Sequence, residues 1–328
     1  MNKKILISAS VLFIIVAACS RKSIPSSSQG KIAQLKQERA LAEQNETQSK
    51  PALSLINNAP DSNAVAAKTR DTTLFFDSSY SNYVYATLSQ AYADTIAMPP
   101  NSNDASLNYA QGFVGTTNFN MRKPNFVIIH HTAQDSVNAT LRTFTMESTS
   151  VSAHYVIGRD GSIHHMVNDY LRAWQAGIGK WGNITDMNSC SVGIELDNNG
   201  YEPFTDEQIN SLLAVLASLK KRFGIPQANF IGHADFAPPR KDDPNVNFPW
   251  QLLASKGYGY WWDDTTNVQV PADFNSTQAL RIIGYDIRDL NKTVIAFRRH
   301  FCKLDSNDPA LSPEEIKVLY CLYTKYMY

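Results

Sequence analysis

Four apolar residues in a row, Phe126-Val-Ile-Ile129, lead directly into His130 and His131. An apolar run this short and unbroken, with no polar residue alternating, marks a strand covered on both faces. A second strand follows in Ser191–Asp197, and this one alternates. Val192, Ile194 and Leu196 share one face, while Ser191, Gly193, Glu195 and Asp197 share the other. Tyr155–Met166, broken at Arg159-Asp-Gly161, has the pattern of a hairpin. The clearest helix begins at Thr205, with Gln208 completing a capping box. Its apolar stripe is Ile209, Leu212, Leu213, Leu216, Leu219 and Phe223; Lys220–Arg222 suit its negative end and Gly224 closes it. This order of strands and helices predicts an α/β domain, a mixed central sheet flanked by helices, over residues 123–265.

From about Phe274 the pattern becomes wholly helical. Helices are expected over Ala279–Tyr285, over Leu290–Cys302, and from the capping box Ser312-Pro-Glu-Glu315 onward. Three short helices in residues 274–328 predict a small C-terminal three-helix module of their own. Upstream, residues 19–72 are rich in Ser, Gln, Ala, Asn and Lys and read as a flexible tether, with room for a short helix over Lys31–Gln44. Residues 73–122 read as an irregular segment leading into the main domain.

The first residues fix the expected compartment. Lys3 and Lys4 precede the apolar run Ile5–Ala18, too short for a membrane span and suited to a signal-peptide core over residues 1–18. Val16-Ala-Ala-Cys19 resembles the bacterial lipobox, which implies a lipidated Cys19. Several acyl chains on one cysteine give stable anchoring. Ser20 rather than aspartate after that cysteine implies an outer-membrane, periplasm-facing protein. With 30 basic and 30 acidic residues, the chain carries no charge excess that would draw nucleic acid or anionic membrane. A monomer is expected. Of the four cysteines, Cys302 and Cys321 fall on consecutive expected helices, and the sequence leaves open a bridge between them or two free thiols.

The chemistry concentrates in His233-Ala-Asp-Phe-Ala-Pro-Pro-Arg-Lys-Asp-Asp-Pro244. Pro238, Pro239 and Pro244 forbid a continuous helix, so this is a shaped loop holding an imidazole, a lysine and three carboxylates. Two histidines and one carboxylate would leave a zinc ion an open position, with a nearby glutamate to act on water there. Spacing alone does not choose among Asp235, Asp242 and Asp243.

Three motifs in this order, Ile129-His-His-Thr-Ala133, Ser191-Val-Gly-Ile-Glu-Leu196 and His233–Pro244 followed by Phe248-Pro-Trp250, resemble the zinc-dependent N-acetylmuramoyl-L-alanine amidases of type 2. That family includes the peptidoglycan recognition proteins. The likeness is strongest to its outer-membrane lipoprotein branch and covers residues 123–328. Gly284-Tyr285 and Val294–Phe301 make the tail similar to that branch's peptidoglycan-binding module. The resemblance implies one catalytic zinc on His130, His233 and Asp243, with His131 as support on the far side of the strand. It implies Glu195 as the group acting on water and Lys241 as the cation beside the scissile carbonyl. Trp174, Gln175 and His154 are implied as substrate-cleft residues. Gln175 stands where many members have histidine, and Ala153 where some have tyrosine. The implied reaction is hydrolysis of the amide between N-acetylmuramic acid and L-alanine in peptidoglycan or muropeptides. The alternative is a non-catalytic recognition or wall-tethering lipoprotein using the same cleft.

Overall fold

The computed structural model describes residues 78–98, 115–121 and 123–327. The signal segment, Cys19, the tether and the helix expected over Lys31–Gln44 lie outside the described residues. The chain divides into two units. The first holds helix α1, Ser78–Ala97, from Ser79 onward. Over residues 78–97 this corrects the irregular segment expected for 73–122. No glycine or proline interrupts the stretch from Ser78 to Ala97, and Ala86, Ala91, Ala93 and Ala97 favour the helix. The amide of Gln90 donates to Asp94 one turn on, at 2.8 Å. None of its residues is buried, so there is no apolar stripe for a periodicity argument to find.

The second unit holds everything described from Thr116 onward. In chain order it runs β1 (Phe126–His131), α2 (Val137–Thr145), β2 (Tyr155–Ile157), β3 (Ile163–His165) and β4 (Ser191–Leu196). Then come α3 (Asp206–Phe223), β5 (Phe230–Gly232), α4 (His233–Phe236) and α5 (Trp250–Ser255). The chain ends in α6 (Ser276–Ile283), α7 (Leu290–Cys302) and α8 (Pro313–Tyr326). The strands form one mixed sheet in the order β3-β2-β4-β1-β5. β1 runs parallel to both β4 and β5, β2 runs parallel to β4, and the β2–β3 hairpin is antiparallel.

Two faces of β1 feed two cores. Val127 and Ile129 join Val192, Ile194 and Leu196 under α3, whose Ile209, Leu212, Leu216, Leu219 and Phe223 form the predicted stripe. Phe126 and Ile128 point the other way, into a core with Ile231 and Phe236. That core is completed by Leu280, Ile283, Val294, Phe297, Phe301, Leu319 and Leu322 of α6, α7 and α8. The tail helices are as expected in position, but they share a core with the sheet instead of standing apart. Cys302 and Cys321 are free thiols.

At the start of α3 only half of the capping box forms. Thr205 Oγ accepts from the Gln208 amide at 3.2 Å. The Gln208 side chain instead donates to the carbonyls of Ile157, the last residue of β2, and Asp197, just past β4.

Candidate metal centre

The carboxyl ends of β1, β4 and β5 come together at one place, where open α/β sheets commonly hold ligands. His130 is the penultimate residue of β1 and lies in register with Glu195, the penultimate residue of β4. Parallel register puts both side chains on the same face, the one that carries Phe126 and Ile128 deeper in. His233 opens α4 directly after β5, and Asp243 arrives on the proline-bounded loop. His130, His233 and Asp243 are 1, 2 and 5% exposed.

The ligand atoms converge. His130 Nδ1 is 2.9 Å from His233 Nδ1 and 2.9 Å from Asp243 Oδ2, and His233 Nδ1 is 3.1 Å from the same oxygen. Among the described residues this is the one group of its kind that could hold a metal ion.

The far ring nitrogens decide what the near ones carry. His130 Nε2 donates to Gln175 Oε1 at 2.6 Å, and His233 Nε2 donates to the Ala176 carbonyl at 2.9 Å. Gln175 is itself oriented, because its Nε2 donates to Ser191 Oγ, whose proton goes to the Met187 carbonyl. A neutral imidazole has one N–H. Both Nδ1 atoms are therefore bare lone pairs facing each other and a carboxylate oxygen, an arrangement that repels unless a cation lies between them. Edges near 3 Å approach the roughly 3.3 Å expected between ligands of a tetrahedral site with bonds of about 2.0–2.1 Å. The residues fit a zinc ion.

The titration tendencies carry the same demand for positive charge. Burial works against a proton on His130, but Glu195 and Asp243 together raise its pKa. Burial takes His233 down to about 4. Asp243, despite a burial that favours its neutral form, is held well below the usual carboxylate range by His233 and His130. Burial pushes Glu195 up to about 7. Its Oε1 lies 4.0 Å from His130 Nδ1, and its Oε2 is buried with no hydrogen-bond partner among the described residues. That oxygen is open to a donor brought by water or substrate.

The other expected site residues divide. Lys241 lies half-buried on the same loop, two residues before Asp243, while Asp242 is exposed. Trp174, next to Gln175 in the chain, is 54% exposed. Gln175, half-buried, faces His130 and accepts from its Nε2, which supports that ligand. Gly193 makes this possible, because a Cβ there would come within 2.4 Å of Gln175 Cγ. His154 departs from its expected place in the cleft. It is fully buried, accepting from the Gly193 amide at Nδ1 and donating to the Leu171 carbonyl from Nε2, so no nitrogen is left for substrate. His131 faces away and accepts from the Asn245 amide at 3.1 Å, bracing the loop just past Asp243. Sequence reasoning missed Arg240, which donates to the carbonyls of Ala176 and Ile178 and pins the segment under His233. Its only sequence signal is its position next to Lys241.

Comparison with known proteins agrees with this geometry. The N-acetylmuramoyl-L-alanine amidase family model matches residues 120–246. N-acetylmuramoyl-L-alanine amidase AmiD of Escherichia coli K12 is 34% identical over 206 residues, covering 53% of this chain and 74% of the relative. The chain belongs to the N-acetylmuramoyl-L-alanine amidase family. Another amidase, the 1,6-anhydro-N-acetylmuramyl-L-alanine amidase AmpD of Haemophilus influenzae, is 38% identical over 106 residues, 32% of this chain and 58% of AmpD. Among solved structures, a complex of E. coli AmiD with the substrate anhydro-N-acetylmuramic acid-L-Ala-D-γ-Glu-L-Lys superposes with TM-score 0.56 and 29% identity. It covers 67% of this chain and 93% of that one. AmpDh3 of Pseudomonas aeruginosa gives 0.57 and 27%, with 68% of this chain and 100% of that one.

Proposed function

We propose that this amidase hydrolyses the bond between N-acetylmuramic acid and L-alanine with one zinc ion held by His130, His233 and Asp243. The observation that carries the reading is the pair of bare Nδ1 atoms and the Asp243 oxygen within 3.1 Å of one another. When bound, the ion would supply Lewis acidity, lowering the pKa of water and polarising the scissile carbonyl. Glu195 takes the water's proton and later hands it to the leaving amine of L-alanine. Burial, which raises the Glu195 pKa, helps it hold that proton between the two steps. Lys241 brings an ammonium to the carbonyl oxygen as charge develops there. Trp174 offers an exposed ring to the substrate, and the tail helices add affinity for the wall.

The muropeptide bound in the AmiD complex makes peptidoglycan fragments the natural substrate class to test. The anchor belongs to the same proposal. Lys3, Lys4, the run Ile5–Ala18 and Val16–Cys19 support a lipidated Cys19 holding the enzyme on the outer membrane, facing the periplasm, as a monomer. Mass spectrometry of the mature N-terminus tests it; an unmodified cysteine would refute the anchor.

For the reaction, the test is Glu195→Ala assayed on purified anhydro-muropeptide. Zinc content should stay at one per chain while release of peptides with a free L-alanine amine falls about 10²–10⁴-fold. Full turnover in the variant would remove Glu195 from its role.

A further inference from the structure

The shortest helix in the unit carries the most demanding position. α4 is four residues long, His233–Phe236, and a single turn cannot hold its own geometry because helix nucleation is unfavourable. It must hold it, since His233 opens the turn and the next amide, Ala234, donates to the Asp243 carbonyl at 2.8 Å. Both a histidine ligand and the carboxylate ligand therefore depend on where α4 lies.

What fixes α4 comes from the other end of the chain. Asp235, 2% exposed, takes the Gly232 amide on Oδ2 at 2.7 Å, closing the start of the turn. Its Oδ1 accepts from Tyr285 Oη at 2.7 Å, and Oδ2 also accepts from His300 Nδ1 at 2.8 Å. Tyr285 follows α6 and His300 lies on α7; both are buried. The His300 ring is clamped, stacked at 3.9 Å on Trp250 and at 3.9 Å on Phe301. Tyr285 is fixed in turn by an edge contact with Trp181, whose approach requires Gly284, where a Cβ would fall 2.4 Å from the indole.

We infer that Tyr285 and His300 are positioning residues for the metal centre. Through Asp235 they hold α4 so that His233 and Asp243 present their ligand atoms, making the C-terminal helices part of the catalytic apparatus. This rests on the zinc reading above. Partners one step behind metal ligands typically change affinity 10- to 100-fold when removed; Tyr285 acts one step further back.

The test is zinc affinity of the full chain, by competition with a chromophoric chelator at a temperature far below unfolding. The variants are Tyr285→Phe, which removes one hydroxyl, and His300→Phe, which keeps the stacking. His130→Ala is the control. Each tail variant should bind zinc about 3- to 30-fold more weakly, and saturating zinc should restore its kcat. If both fold, with unchanged thermal midpoints or lowered ones, yet bind zinc as the parent does, Asp235 and its partners are only structural and the inference is wrong. If His300→Phe does not fold, Tyr285→Phe alone decides. Failure of the zinc reading looks different: the parent and His130→Ala would then be alike in showing no tight zinc.

Discussion

At the scale of single residues, the site depends on which ring nitrogen carries the proton. Gln175 settles that for His130 by accepting at Nε2, leaving Nδ1 bare. Gln175→Ala should lower zinc affinity about 10- to 100-fold while the fold holds, measured by chelator competition. Unchanged affinity would return Gln175 to the cleft-lining role that its place beside Trp174 suggests. The sequence was legible here where strand periodicity or a long motif speaks. Alternation put Glu195 opposite the aliphatic trio, and the spacing from His233 to Asp243 matched a family pattern. It named Gln175 and His154 only as cleft residues and did not reveal their bonds to Ser191, Gly193 and Leu171, contacts made only when strands and loops assemble. Asp235 shows the limit most clearly. It is a carboxylate inside the metal-binding motif, and only its bonds to Gly232, Tyr285 and His300 show that it serves α4 and not the metal.

At the scale of elements, α7 and α8 are joined by a buried charge pair. Arg298, 2% exposed, donates to both carboxylate oxygens of Glu315 and to the carbonyls of Ser306, Asp308 and Ala310. Glu315 also accepts from the Ser312 amide, completing the capping box that Ser312-Pro-Glu-Glu315 predicts. Breaking such a pair strands a buried guanidinium, so Glu315→Ala should cost about 3–5 kcal/mol at pH 7 in urea unfolding. Arg298 holds the Glu315 pKa below its ordinary 4.5. A depressed carboxylate stabilises above its unfolded pKa and loses that contribution as pH falls through the folded one. The gap between parent and Glu315→Ala should therefore be full above about pH 4.5 and shrink below it. A gap that stays constant to pH 3 would contradict the pairing. The capping boxes show how far local rules reach. The one at Ser312 forms fully, whereas Gln208 was drawn away by two buried carbonyls that no local pattern reveals. Helix α1 was missed for the opposite reason, since it buries nothing and shows no stripe.

At the scale of the whole molecule, the tail is more than an attachment. Ending the chain at residue 265 would strip the tail's cover from the core that holds Phe126, Ile128, Ile231 and Phe236, leaving Trp181 and Met187 in place. At about 1.5–3 kcal/mol for each of these four side chains if fully exposed, the loss is at most roughly 6–12 kcal/mol. A folded domain has about 5–15 kcal/mol in all. The truncated protein should lack a cooperative thermal transition, and a stable fragment with a sharp midpoint would show that the sheet needs no tail. A separate module was the natural reading of three consecutive helices, because sequence shows a helix's apolar stripe but not which surface it covers.

The account as a whole rests on metal-dependent cleavage of one bond, and digestion of purified peptidoglycan by the anchor-free protein tests it most directly. Sacculi would be incubated with enzyme alone, with a zinc chelator, and with chelator followed by excess zinc, and the products weighed by mass spectrometry. The account predicts peptides beginning with a free L-alanine amine, lost with chelator and restored by zinc. Release that ignores the chelator, or sacculus binding with no release at all, would contradict it.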